Sequence, residues 1–265
     1  MVDVADHARR GAHGGTFIGV DFRATLLGET RALGDVIRSA DPGTPVSSCP
    51  GWTMNQLLKH VGRGNRWSAQ IIGERRFEPL DPREVRDGKP PEDPEGAIDW
   101  LNSSAQSVID AVDRVGPETR VWTFTGPRPA GWWVRRRVHE ATVHRADAVL
   151  AVGGDFELPP ELAADGISEW IDLAIVAANP HDPPLRRGLT LHLHAHDGGL
   201  GPTGEWTITH DEDGLQWSHD HGKGDVAVRG RAVDLLLALT RRRAEGVEVL
   251  GDAGIWNDWL SQTPF

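Results

Sequence analysis

The stretch VRRRVHEATVHRAD, Val134 to Asp147, sets Glu140 and His144 one helical turn apart inside a run that reads as helix. At 3.6 residues per turn, positions 137, 140, 144 and 147 share a face, and they hold Arg, Glu, His and Asp. A second stripe of Val134, Val138, Ala141 and Ala148 runs beside them, so the polar stripe borders a seam suited to burial. Taken alone, a Glu-His pair at this spacing is ordinarily a solvated helix contact contributing about 0.2–0.5 kcal/mol. Facing a further ligand on another helix, the same pair is part of a metal site. Which of the two it is depends on what packs against it.

Outward from this stretch, helical periodicity holds up to about residue 178, broken by Pro and Gly clusters. A first helix is expected over about 20–40, where Phe22, Leu26, Leu27, Leu33 and Ile37 recur at helical spacing before Asp41-Pro42-Gly43. A second is expected over about 53–72, opened by a capping box of Thr53 and Gln56 with Trp52 as a staple before it. A third, about 94–115, starts on Pro and acidic residues and stops at Gly116-Pro117. The opening stretch lies in a fourth, about 130–152, and a fifth spans about 160–178 with Leu162, Ile167, Trp170, Ile171 and Ala174 on its apolar side. The Pro- and charge-rich segment 78–93 is a long loop between helices.

Past that point the period changes from helical to alternating. LTLHLHAHD, EWTITHD, LQWSHD and DVAVRG are separated by Gly, Asp or Pro turn chemistry and read as short antiparallel strands. AVDLLLALTRRRAEG returns to helix, VEVLGD is a short strand and IWNDWLSQ a last short helix. The expected fold class is α+β: a four-helix bundle over 15–178, then a smaller α+β domain with an antiparallel sheet over 179–265.

Composition limits the function. The chain has 39 acidic against 28 basic residues and a formal charge of −11, unsuited to neutralising the phosphates of a nucleic acid. Cys49 is the only cysteine, which excludes an internal disulfide and any zinc site built from several thiolates. It precedes a Pro-Gly turn with no base nearby in sequence, a poor setting for a nucleophile. The opening MVDVADHARRGAHGG lacks the apolar core of a signal peptide, and no run approaches the roughly 18 apolar residues of a membrane span; a cytoplasmic protein is expected. There is no phosphate-binding P-loop and no nucleophile elbow, and the GAHGG glycines lack the flanking strand of a dinucleotide site. The Trp residues, Trp132 and Trp133 among them, fall mostly at apolar positions and are expected to pack cores.

A candidate partner for the opening pair lies on the second helix. His60 belongs to the series Leu57, His60, Gly64, Trp67, Ile71, an apolar face with one imidazole in it, so it points inward. A lone inward His is ordinarily a hydrogen-bonded core residue. If helices two and four are neighbours, however, His60, Glu140 and His144 converge from two helices, and two nitrogens with one carboxylate oxygen form the ligand set of a catalytic zinc site with an open position. A competing metal reading comes from LHLHAHD, where His192, His194 and His196 share one face. Leu191, Leu193 and Ala195 opposite them equally describe a half-buried strand with a polar outer side, and no acid or cysteine at matching spacing completes a set. His219 and His221 read as turn residues.

On VSSCPGWTMNQLLKHVGR and RRRVHEATVHRADA the chain resembles the mycothiol-dependent maleylpyruvate isomerase family, whose N-terminal half is a DinB-like four-helix bundle. The resemblance extends over most of the chain and implies His60, Glu140 and His144 as ligands of zinc or another divalent metal, with mycothiol as thiol cosubstrate and a small electrophilic substrate. DLLLALTRRRAEGVEVLGD is similar to the family's smaller domain, where an arginine after the helix contributes to activity; Arg242, within Arg241-Arg242-Arg243, is the nearest counterpart. On the same implication Arg137 and Asp147 orient His144 or bind the thiol's sugar hydroxyls. The reaction expected is thiolate addition followed by rotation and elimination; S-transfer of mycothiol to an electrophile needs the same ligands, and a non-catalytic metal- or ligand-binding module is the third possibility.

Overall fold

In a computed structural model of the chain, residues 19–243 and 245–263 are described. The opening MVDVADHARRGAHGG, and with it residue 15 as the start of the bundle, lie outside them. The chain divides into two compact units, 21–156 and, for the described residues beyond it, 157–263.

The first unit is a bundle of α1 (Phe22–Ser39), α2 (Met54–Gly73), α3 (Pro94–Val115) and α4 (Gly131–Ala151). Three of the four helices begin where side chains satisfy free amides at the helix start, and Ala130 ahead of α4 provides no such cap. Asp21 accepts from Arg23 and Ala24 ahead of α1, Gln56 Oε1 accepts from the Thr53 amide at 2.7 Å ahead of α2, and Asp93 accepts from Gly96 at 2.6 Å ahead of α3. α2 lies along α3 and α1 along α4, and α2 also meets α4. Leu33, Ile37, Leu57, Val61, Ile98, Leu101, Ala141 and Ala148 fill the interior. Between α3 and α4 a two-residue ribbon pairs β1 (Arg120–Val121) with β2 (Arg128–Pro129).

The second unit opens with α5 (Pro160–Ala177) and builds one sheet from β3 (Thr190–Ala195), β4 (Glu205–Asp211), β5 (Gly214–Ser218), β6 (Val226–Gly230) and β7 (Val247–Gly251) in the order β5-β4-β3-β6-β7. α6 (Ala232–Leu239) lies against the sheet between β6 and β7 in sequence, and α7 (Ala253–Gln262) ends the unit. Three details differ from the sequence reading. The helix read over AVDLLLALTRRRAEG stops at Leu239, where the chain turns. β3 and β6 run parallel within an otherwise antiparallel sheet, because the strand after the β4-β5 hairpin crosses to the far side of β3. The units also divide before α5, not after it: Ser168 of α5 accepts the Trp206 indole N–H of β4 at 2.8 Å, and Asp172 that of Trp217 of β5 at 2.8 Å. These two indole hydrogen bonds, one from the fully buried Trp206, tie the fifth helix to the sheet. Among the described residues no helix is long and apolar enough to cross a membrane.

Candidate metal centre

Helices α2 and α4 bring His60, Glu140 and His144 together. His60 Nε2 lies 3.0 Å from Glu140 Oε1, and His144 Nε2 lies 3.4 Å from the same oxygen. One ligand atom from each falls within 4.8 Å of the other two, and the two imidazoles meet edge to face at 4.8 Å between centroids. The pair in the opening stretch is no wet surface contact: the side chains of His144 and Glu140 are 4% and 14% exposed. His60, at 40%, forms the open side of the group.

Three neighbours fix the orientation of these donors. Asp147, fully buried one turn below His144, accepts from its Nδ1 at 2.8 Å, which leaves Nε2 turned toward Glu140. Arg136, four residues before Glu140, donates to Oε2, so only Oε1 faces the histidines. The turn before α2 supplies the rest. There Val46 N–H donates to Trp52 O at 2.9 Å, Trp52 N–H donates to Cys49 O at 2.9 Å, and Gly51 takes a left-handed conformation at φ 82°, which a side chain would resist. The turn lays Ser48 Oγ 2.5 Å and Cys49 Sγ 3.4 Å from the Asp147 carboxylate. It also sets the Trp52 ring 4.8 Å from that of His60 and, nearly parallel, 6.2 Å from that of His144.

The electrostatics follow from this packing. Burial alone would raise the Glu140 carboxyl, but Arg136, the hydrogen bonds of His144 and His60, and the charge of Arg137 outweigh it and hold it well below the usual range. Burial would likewise lower His144, yet hydrogen bonding with Asp147, Cys49 and Glu140 pushes it up to about 10 in the metal-free site. His60 is lowered by burial, against the pull of Glu140. A dication can replace the proton on His144, since the set then offers two nitrogens and an anionic oxygen at a common centre. The donor chemistry therefore fits a metal of the zinc class.

Of the other residues singled out in the sequence, Asp147 sits directly behind His144. Arg137 is buried in the bundle, its Nε donating to Asn65 Oδ1 at 2.8 Å, with Asn65 in turn bonded to Ser104 at 2.9 Å. The guanidinium also lies against Gly64 of α2, 2.6 Å from where a Cβ would stand. Arg242 belongs to the second unit, in the turn after α6. That helix ends at Leu239, where Thr240 Oγ1 donates back to Leu236 O at 2.7 Å and Arg241 turns left-handed at φ 61°; Arg242 Nη1 donates to Thr240 O at 2.6 Å. Arg136, Ser48, Cys49 and Trp52 complete the surroundings and were not anticipated. Only Arg136 had a visible signal, its spacing of four from Glu140. Cys49, expected to have no base nearby, has Asp147 beside it through folding rather than sequence.

Both units have counterparts among known proteins. Residues 24–149 match the mycothiol maleylpyruvate isomerase N-terminal domain, and residues 161–257 match the MDMPI C-terminal domain. Among solved structures, the chain is similar to the crystal structure of the mycothiol-dependent maleylpyruvate isomerase and to that of a histidine-to-alanine mutant of it. Each comparison gives 16% identity and a TM-score of 0.59, over 88% of this chain and 95% of that one. At that identity the likeness is one of fold. No curated protein matches the sequence.

Proposed function

The chain belongs to the mycothiol maleylpyruvate isomerase family, and from that premise we propose that it is an enzyme in which His60, Glu140 and His144 hold a zinc-class metal and mycothiol attacks an electrophilic substrate. The observation that carries the proposal is the convergence of these three donors from α2 and α4, with the second nitrogen of His144 held by Asp147. Bound by two neutral imidazoles and one carboxylate, zinc keeps a net charge of about +1 and lowers the pKa of a coordinated thiol toward neutrality. The chain's own groups do the positioning. Asp147 keeps Nε2 of His144 facing inward, and Arg136 keeps one oxygen of Glu140 facing the histidines. Trp52 walls the site with an apolar ring, and the exposed edge of His60 marks the side from which a thiol arrives. Arg137 adds fixed positive charge within reach of Glu140. Arg242 takes the substrate-side role on the family resemblance, a guanidinium able to hold a carboxylate through two hydrogen bonds.

The test separates isomerisation from S-transfer. Protein stripped by chelator and reloaded with zinc is given mycothiol and maleylpyruvate. Formation of the trans isomer with all thiol returned identifies an isomerase; thiol consumed in step with substrate identifies a transferase. Absence of any thiol-dependent turnover, across a panel of electrophiles, sinks the enzymatic reading and leaves a metal-binding module.

A further inference from the structure

Outside the bundle, a second group of ligand-type side chains assembles on the sheet. Alternation along β3 sends Leu191 and Leu193 to the face that carries Trp206 and Ile208 of β4, all four buried. His192 and His194 go to the other face, where the register sets His194 opposite Glu205 and His192 opposite Thr207. The sequence had offered no acid to complete a set around these histidines. Glu205 comes instead from the neighbouring strand. Nor is the face simply wet, since His192 is only 2% exposed.

A loop after β5 adds a third ligand-type side chain. It is pinned to β4 twice: His219 Nδ1 donates to Glu205 O at 2.6 Å, and Thr207 Oγ1 donates to Asp220 O at 2.7 Å. That places His221 Nδ1 2.6 Å from Glu205 Oε2, the same oxygen that His192 Nε2 approaches to 2.9 Å. Donor atoms of His192, Glu205 and His221 all lie within 4.8 Å of one another. A ligand–metal distance of about 2.0–2.2 Å brings such donors to separations of this order around one ion. His194 stands beside them, its ring 6.2 Å from His192 and 6.5 Å from His221, and its buried Nδ1 has no hydrogen-bond partner among the described residues.

We propose that His192, Glu205 and His221 bind a divalent transition-metal cation of the zinc class, at a site in the C-terminal unit that is separate from the bundle's candidate centre. Two imidazoles and a carboxylate suit zinc, nickel or copper better than calcium or magnesium, which require more oxygens. With its side chain 76% exposed, His221 leaves one side of the site open to water, so the ion enters and leaves without unfolding the sheet. Imidazoles that share a carboxylate without any ion are the competing arrangement, and metal uptake distinguishes the two.

The measurement uses the full chain, stripped of metal and titrated with zinc against a chromogenic competitor. Wild type is expected to take up about two zinc ions per chain and the His221→Ala and His144→Ala variants about one each, on the four-ligand logic that a site losing one of three protein donors no longer competes. Glu205→Gln, which keeps the shape but loses the anionic oxygen, is expected to behave as His221→Ala. Equal uptake by wild type and His221→Ala overturns the proposal, whatever the bundle holds. A single equivalent lost in His221→Ala yet kept in His144→Ala upholds it while removing the bundle centre.

Discussion

At the scale of single residues, the bundle centre turns on one hydrogen bond, from His144 Nδ1 to Asp147. Asp147→Asn, which keeps the volume but weakens that bond, is expected to lower zinc affinity about 10–100-fold and, because protonated His144 loses its buried anionic partner, to lower the thermal stability of the metal-free protein as well. Competition titration of the variant against wild type decides it, and equal affinities would remove Asp147 from the positioning role. The protonation of His144 gives a second expectation. Its metal-free pKa is raised from 6.5 to about 10, so the stability it contributes is fully present below about pH 6.5 and is lost as pH rises through about 10. Zinc binding at neutral pH must then expel a proton, and affinity should climb as pH rises over the same window. Calorimetry in buffers of different ionisation enthalpy counts the proton; zero release contradicts a ligand role for His144. The faces that carry His60, Glu140 and His144 were legible because helical spacing projects directly into space, whereas their meeting rests on α2 lying beside α4, which spacing does not encode. Ser48, Cys49 and Trp52 were not legible, because a turn places them and no periodicity encodes it.

Elements show the same division between what repeats and what folds back. Bounds of the helices followed from capping residues and Pro-Gly stops, and the third helix begins and ends where the sequence placed it, at Pro94 and Val115. Alternation, by contrast, is the same whichever way a neighbouring strand runs, so the parallel pairing of β3 with β6 was invisible, as was Glu205 as a cross-strand neighbour of the histidines. Helix packing adds a constraint that the sequence only hinted at. The Trp100 ring of α3 lies so close to α2 that a Cβ on Gly62 would sit 2.1 Å from Cζ3. Gly62→Ala is expected to force the ring aside and reduce stability by about 1–3 kcal/mol, even though alanine is the better helix former. Chemical denaturation measures the change; a more stable variant would show that α2 and α3 separate easily.

Over the whole molecule, each unit has its own buried core, and the boundary falls at 156/157. A fragment of 21–156 is therefore expected to unfold cooperatively by itself and to bind zinc with the same dependence on His144 as the full chain. A fragment that is unstructured by circular dichroism would show that the bundle depends on the remainder. In the full chain, Arg242→Ala is expected to lower turnover and leave zinc content at the wild-type level, and loss of metal would contradict a substrate-side role. The sequence reading placed the boundary after α5 because that helix has the same periodicity as the four before it; only the indole bonds to Ser168 and Asp172 assign it to the sheet. Cys49 has a last, practical consequence. It is the only cysteine in the chain, partly accessible, with its sulfur against the carboxylate that holds His144. A maleimide dye or nitroxide attached to a cysteine of the native protein therefore sits at one address, beside the bundle centre, where fluorescence or paramagnetic relaxation can follow ion and thiol arrival without a background of competing labels.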